Sequence, residues 1–246
     1  MDYKRAEEFA KHIEEIQRQI GFGRYLEVIQ DKIIDYAAKN PGADLEEIRN
    51  ELLKVFPPEY KKYIDEVFVK YNSVLETANE LYDDMGPALT RQVTELRAME
   101  RVDRFRYGQY EDRTIKRITK VVHEVLLDEP DRRTLERKLI TEIKSERVTQ
   151  YADTIAWTQV KAYGRAIKNI KANIAEIFFY DYYGPLRETT RKKCLWALAK
   201  KTFSVEEIAE QDNDKWNGQI KPFMIYCGGW NCAHDLEPNP FIKRTI

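Results

Sequence analysis

Apolar residues recur at intervals of three and four over most of the first 177 residues, which predicts a mainly helical chain. Helices are predicted at 3–20, 25–36, 44–55, 63–85, 134–147 and 156–177. Asp44, with Glu47 three residues later, forms a capping-box pattern at the start of the third helix, and Pro57-Pro58 predicts its end. The last of these helices has the most regular apolar spacing, so we expect it to pack against a partner helix.

The pattern changes after residue 177, where Phe178-Phe179-Tyr180-Asp181-Tyr182-Tyr183 brings aromatic residues together as in a strand. Strands are predicted at 178–183, 201–203 and 220–226, and short helices at 189–198 and 204–211. We therefore expect a mainly α fold in two domains. A helical domain over 1–150 is followed by a small α+β module over 151–246.

Two of the three cysteines and one of the three histidines lie in the short segment Cys227–His234, which also contains two adjacent glycines. With Cys194, this segment offers three thiolates and one imidazole: Cys194, Cys227, Cys232 and His234. Zn²⁺ takes four such ligands in closed structural sites. Cys232 and His234, two residues apart, point the same way on an extended backbone. We expect a structural Zn²⁺ that holds the C-terminal module together.

Two other interpretations of the cysteines remain open. They are reduced, buried thiols without a metal, or a disulfide that includes Cys194. The N-terminus has no apolar signal-like segment, and no apolar run of 18 residues occurs, so we expect neither a secretory signal nor a membrane partner. An odd number of cysteines in such a chain favours a reducing compartment.

The net charge is close to neutral: 41 Lys and Arg residues balance 42 Asp and Glu residues, which leaves −1. Attraction to nucleic acid would therefore have to come from local patches. One candidate patch is a row of cations that we expect on the outward side of the last long helix: Lys161, Arg165, Lys168 and Lys171. This row would contact phosphate or an acidic protein surface, and a plain solvated face is the alternative.

A second basic stretch lies within residues 88–127. Its cations include Arg101, Arg104, Arg106, Arg113, Lys116, Arg117 and Lys120. Acids are interleaved with them, for example Asp103 and Asp112, which favours a solvated helix face. Contact with DNA or with an acidic partner is the alternative.

Signals for catalysis are few. The chain has no phosphate loop, no Gly-x-Ser-x-Gly elbow and no His-Glu-x-x-His pair. Cys232 and His234 stand beside Asp235, but a cysteine and a histidine two residues apart suit a shared ligand better than a proton relay. We expect no enzyme and no small-molecule substrate. A metal-dependent nuclease, a cysteine-type hydrolase or a nucleic-acid-binding adaptor is the alternative.

A series of short motifs gives the C-terminal part a familiar order. They are Tyr183-Gly184-Pro185, Thr190-Arg191, Cys194, Lys201-Thr202-Phe203-Ser204, Glu206-Glu207-Ile208, Asn217-Gly218, Cys227-Gly228-Gly229, Asn231-Cys232 and His234. In this order and spacing they resemble the C-terminal domain of the phage Mu F-like minor head proteins, also called head morphogenesis proteins of tailed phages. The resemblance covers roughly residues 150–238.

The resemblance implies a virion component, present in few copies in the capsid interior or at the portal vertex and assembled in the host cytoplasm. Its partners would be the portal protein, the major capsid or scaffolding protein, and packaged DNA. Its role would be to assist head assembly, DNA packaging or ejection.

Overall fold

The computed structural model describes residues 3–127, 132–145 and 148–242. The long helices are α1 (Tyr3–Gln19), α2 (Gly23–Lys39), α3 (Leu45–Leu81), α4 (Thr94–Leu126), α5 (Arg132–Ser145) and α6 (Val148–Ile174). The later elements are β1 (Phe179–Tyr183), α7 (Lys192–Lys200), β2 (Thr202–Ser204), α8 (Val205–Glu210), α9 (Phe223–Tyr226) and β3 (Asp235–Pro238). The predicted mainly α fold with a small α+β part is confirmed.

The chain packs into two compact units, and neither is continuous in sequence. Unit 1 comprises Met1–Gln19, Val69–Glu100 and Thr154–Ile246, and unit 2 comprises Ile20–Phe68 and Arg101–Asp153. Helices α3, α4 and α6 each contribute residues to both units. Most of the C-terminal module predicted over 151–246 therefore belongs to the same unit as two earlier segments, and its independence as a domain stays a prediction.

The predicted end of a helix at Pro57-Pro58 is wrong, because α3 continues through both prolines. Each proline removes a backbone hydrogen bond and costs about 3 kcal/mol in a helix interior. Aromatic packing in unit 2 offsets this cost: the ring of Phe22 lies 5.9 Å from that of Phe56 and 5.6 Å from that of Tyr60. The capping box before α3 is confirmed, since Asp44 accepts from the Glu47 amide at 2.9 Å and Glu47 accepts from the Asp44 amide at 3.0 Å.

Helix α6 packs against other helices of unit 1, as its regular apolar spacing predicts. Ala156, Val160, Tyr163 and Ile167 are fully buried. The Tyr163 ring stacks on that of Tyr71 from α3 at 4.2 Å. On another side Gly164 allows α1 to approach, because a Cβ there would lie 3.0 Å from the Phe9 ring.

Unit 1 also contains an antiparallel sheet with the strand order β2-β1-β3. The strands predicted at 178–183 and 201–203 are confirmed, but the one predicted at 220–226 is wrong. Its second half is the short helix α9, in which the amides of Ile225 and Tyr226 donate to the Pro222 carbonyl. The third strand is instead β3, whose sequence Asp-Leu-Glu-Pro has two acids and a proline and lacks the apolar alternation of a typical strand.

Candidate metal centre

Three predicted ligands from separate segments converge in unit 1. Cys194 lies in the first turn of α7, Cys232 lies between α9 and β3, and His234 directly precedes β3. One donor atom from each residue lies within 4.8 Å of the other two, and all three side chains are buried. Their exposed fractions are 1%, 3% and 4%, so bulk water has almost no access to the donors.

Two of the three donor–donor distances match those around a tetrahedral zinc ion. Zn–S bonds of about 2.3 Å and Zn–N bonds of about 2.0–2.1 Å, at tetrahedral angles, place two sulfurs about 3.8 Å apart and a sulfur and a nitrogen about 3.6 Å apart. The Cys194 and Cys232 Sγ atoms lie 3.9 Å apart, and Cys232 Sγ lies 3.6 Å from His234 Nδ1. The other ring nitrogen of His234, Nε2, is buried without a hydrogen-bond partner among the described residues. Cys194, Cys232 and His234 therefore fit a zinc ion.

Cys227 is not part of this three-donor group, although its side chain is completely buried. Burial raises the pKa of its thiol, and the positive charge of Arg165 opposes that rise. Its backbone has the left-handed φ of +48°, just after the last residue of α9. The prediction that Cys227 is the fourth zinc ligand stays a prediction.

Two glycines allow the donors to come together. The Gly228 amide donates to Cys232 Sγ at 3.2 Å, and a Cβ at Gly228 would lie only 2.3 Å from Cys194 Sγ. Gly184 has a φ of +149°, and a Cβ there would lie 2.8 Å from His234 Cα. A side chain at either position would collide with a ligand, so both motifs depend on glycine.

The two sulfurs differ in their tendency to ionise. A hydrogen bond between Cys194 and Cys232 lowers the pKa of Cys232 and raises that of Cys194, so Cys232 carries the thiolate first. Tyr182 stacks on the His234 ring at 5.5 Å, and its hydroxyl lies 3.9 Å from Cys232 Sγ. Thiolates are the form in which cysteines bind metals, so this hydrogen bond favours the metal-binding form at Cys232.

The segment 227–234, which we call the ligand loop, is fixed by hydrogen bonds from outside it. Arg165 on α6 donates to the carbonyls of Ile225 at 3.0 Å and Cys232 at 3.2 Å, and also to that of His234. The Asn231 amide donates to Thr158 Oγ1 at 2.9 Å, and Arg191 donates to the Trp230 carbonyl at 2.7 Å. These hydrogen bonds hold the loop on α6 and on the segment before α7.

The row Lys161, Arg165, Lys168 and Lys171, which we call the α6 cation row, does not face solvent as predicted. Arg165, Lys168 and Lys171 are only 5%, 1% and 0% exposed, and Lys161 is half-buried. The prediction of an outward row is therefore wrong for three of its four members. Their charges are met inside unit 1 by groups far away in sequence, which helical spacing alone cannot reveal.

Strand β3 supplies the acids for this row. Lys168 Nζ lies 2.8 Å from Asp235 and 3.0 Å from Glu237, and Arg165 Nε lies 3.3 Å from Asp235. Glu237 also accepts from the Tyr82 hydroxyl at 2.9 Å. Burial by itself lowers the pKa of Lys168, but the two carboxylates outweigh it and raise that pKa well above its ordinary value.

Sequence reasoning missed the role of Asp235 and Glu237 as partners of the α6 cation row. One signal was available: two acids at alternating positions immediately follow a predicted ligand, His234. Alternating positions on a strand face the same side, so a pair of acids there matches a pair of cations one helical turn apart. The partner of Lys171 is not an acid, since it donates to the backbone carbonyl of Pro87 at 3.2 Å.

The second basic stretch has the opposite surroundings. In unit 2, six cations on α4 are exposed, and we call them the α4 cation row: Arg101, Arg104, Arg113, Lys116, Arg117 and Lys120. Of the interleaved acids in 101–120, Asp103 is completely buried, Glu111 is half-buried and Asp112 is exposed. The exposed residues of this stretch therefore carry a more positive net charge than the stretch as a whole.

Within the described ranges 3–127, 132–145 and 148–242, no helix combines the length and the apolar character needed to cross a bilayer. Comparisons with family models, with curated proteins and with solved structures found no match to this chain, so the resemblance to the Mu F-like minor head proteins stays a prediction.

Proposed function

We propose that this protein is a non-enzymatic minor head protein of a tailed phage, in which a structural Zn²⁺ stabilises unit 1. The support for it is that Cys194, Cys232 and His234 converge with the spacing of zinc ligands. These residues, with Gly184 and Gly228 packed against them, belong to the motifs on which the resemblance rests. Five of these motifs therefore contribute a donor or a glycine to the proposed site.

A structural role for the metal agrees with the burial of the donors. A reacting substrate would have to reach a centre whose ligands are at most 4% exposed. A bound zinc ion would supply a cross-link between α7, the ligand loop and β3. With Cys227 as the fourth ligand the coordination would be closed, which is the pattern of structural sites.

Metal content tests this part of the proposal. Elemental mass spectrometry of the purified protein is expected to give about one zinc per chain, as for a closed four-ligand structural site. Titration of the thiols is expected to find the ligand cysteines reactive only after chelation. A protein without zinc, with thiols equally reactive before and after chelation, would contradict the site.

The proposed place in the virion has its own test. The portal protein, the major capsid or scaffolding protein and packaged DNA are the proposed partners. Antibodies raised against the chain are expected to detect it in purified phage heads, in far fewer copies than the capsid protein. Detection only in the soluble fraction of infected cells would contradict a head component while leaving the metal site intact.

A nucleic-acid-binding adaptor is the second candidate function, and the α4 cation row favours it. Protein–nucleic acid interfaces are strongly positive, whereas lysine is depleted from the cores of protein–protein interfaces. Arg113, Lys116, Arg117 and Lys120 lie within two helical turns on exposed positions of one helix, a spacing suited to a row of phosphates. A steep salt dependence of binding to a DNA duplex would support this function.

A further inference from the structure

Arg165 has an unusual set of partners for a side chain that is only 5% exposed. Its guanidinium donates to three backbone carbonyls, those of Ile225, Cys232 and His234, and so spans the ligand loop from before Cys227 to its end. Two of these carbonyls belong to proposed metal ligands. One planar group thereby fixes the backbone of both.

The convergence of these carbonyls favours a cation. Three carbonyl oxygens directed at one buried point place partial negative charges close together, and water cannot reach them there. Guanidinium offers five N–H donors in a rigid fork, which an ammonium group cannot reproduce. Asp235 balances the charge at 3.3 Å from Nε. The backbone of the ligand loop is therefore held by Arg165, which is not itself a proposed metal ligand.

Lys168, one turn further along α6, provides an internal comparison. It is equally buried and also pairs with Asp235, at 2.8 Å. Its partners are the carboxylates of Asp235 and Glu237, and no hydrogen bond joins it to the ligand loop in the described residues. Arg165 and Lys168 are both buried and both pair with Asp235, but only Arg165 contacts the backbone of the ligand loop.

We infer that Arg165 is a positioning residue for the metal centre: it sets the backbone of Cys232 and His234 in the geometry that binds zinc, before the metal arrives. This inference rests on the proposed zinc site and names the residue that preorganises it. Groups behind the ligands of metal sites typically contribute 10- to 100-fold to metal affinity. Arg165 acts in this way through the main chain.

The experiment compares Arg165→Lys with the matched control Lys168→Arg in the full chain. Both variants keep the positive charge and change only the shape of the cationic group. Arg165 contacts the ligand loop and Lys168 does not. The affinity for zinc alone is measured by competition with a chromophoric chelator, and the melting temperature of each apoprotein is measured in parallel. Arg165→Lys is expected to weaken zinc binding by about 10- to 100-fold, and Lys168→Arg by less than about threefold, at similar apoprotein melting temperatures.

Equal zinc affinities in the two variants would overturn the inference, and so would losses of affinity that only follow the losses of stability. If Arg165→Lys does not fold, Arg165→Gln/Asp235→Asn makes the same test, because it removes one buried cation together with one buried acid. A wild-type protein that binds no zinc would refute the proposed site itself. A wild type that binds zinc, with Arg165→Lys binding it equally well, would refute only the inference.

Discussion

The α6 cation row and the α4 cation row are similar in composition but have opposite surroundings. On α6, Arg165, Lys168 and Lys171 are buried and bind carboxylates and carbonyls of unit 1. On α4, all six cations of the row are exposed, in unit 2. The difference shows that a cation on a helix is structural or solvent-exposed according to its partners, and those partners can be far away in sequence. Asp235 follows Lys168 by 67 residues.

The two rows also differ in what they contribute. A buried cation contributes to structure only while its acid is present, because an unpaired charge in the interior is strongly unfavourable. An exposed cation adds little to stability and is available for long-range attraction. Substitutions that remove a charge from α6 should therefore change folding, whereas those on α4 should change binding.

The largest expected effect is on the stability of unit 1, and it comes from the loss of a proposed zinc ligand. Cys232→Ser removes a proposed zinc ligand, and we expect unit 1 to lose on the order of 5 kcal/mol or more, since metal binding is coupled to folding. Hydrogen exchange followed by mass spectrometry should show faster exchange in peptides from 192–238 and little change in peptides from 101–120. Unchanged exchange around the ligand loop, in the variant or after chelation, would contradict a structural zinc.

The next effect compares the same substitution on both rows. Lys168→Met leaves Asp235 and Glu237 without their shared cation and should cost about 3–5 kcal/mol, as expected when one partner of a buried pair is removed. The control, Lys116→Met on α4, should change stability by less than about 0.5 kcal/mol, as surface substitutions usually do. Urea unfolding of both variants measures the difference. Similar midpoints would show that the buried pairs do not stabilise unit 1.

The smallest effect on stability comes from α4 itself. The fourfold variant with Gln at positions 113, 116, 117 and 120 should unfold almost as the wild type does. Its affinity for a mixed-sequence DNA duplex should fall, and the slope of log K against log salt should become shallower by about 3 to 4, because each phosphate that a cation neutralises contributes about 0.9 to that slope. A variant with Gln at Lys4, Lys11, Lys39 and Lys61, four exposed cations outside α4, removes the same charge and controls for net charge. If both variants bind DNA equally, the α4 cation row is only a solvated face.

The sequence predicted those parts of the fold in which a local pattern is sufficient. Apolar spacing identified α1, α2, α5 and α6 and the two halves of α3, and the capping residues Asp44 and Glu47 identified the start of α3. The continuation of α3 through Pro57 and Pro58 was not predictable, because it depends on aromatic packing between segments remote in sequence. Strand β3 was missed for the same reason, since its acids suit a strand only when the cations of α6 lie opposite.

The candidate site divides in the same way. Cysteine and histidine are rare in this chain, so their concentration near the C-terminus indicated the ligands without any three-dimensional information. Arg165 looked like one more surface cation, because nothing near it in sequence reveals three carbonyls that converge on its side chain. Residues that bind through side-chain chemistry can be found from composition, whereas a residue that holds a backbone cannot.

The position of β3 in the chain has a consequence for the order of events during translation. Arg165 and Lys168 leave the ribosome well before Asp235 and Glu237, which follow Lys168 by 67 and 69 residues. Until β3 has been synthesised, α6 contains cations that have no counter-charge in the interior they are to occupy. The nascent chain therefore cannot close unit 1 early, and the buried face of α6 must remain hydrated until β3 arrives. The order of synthesis therefore delays the burial of these charges until β3 has emerged.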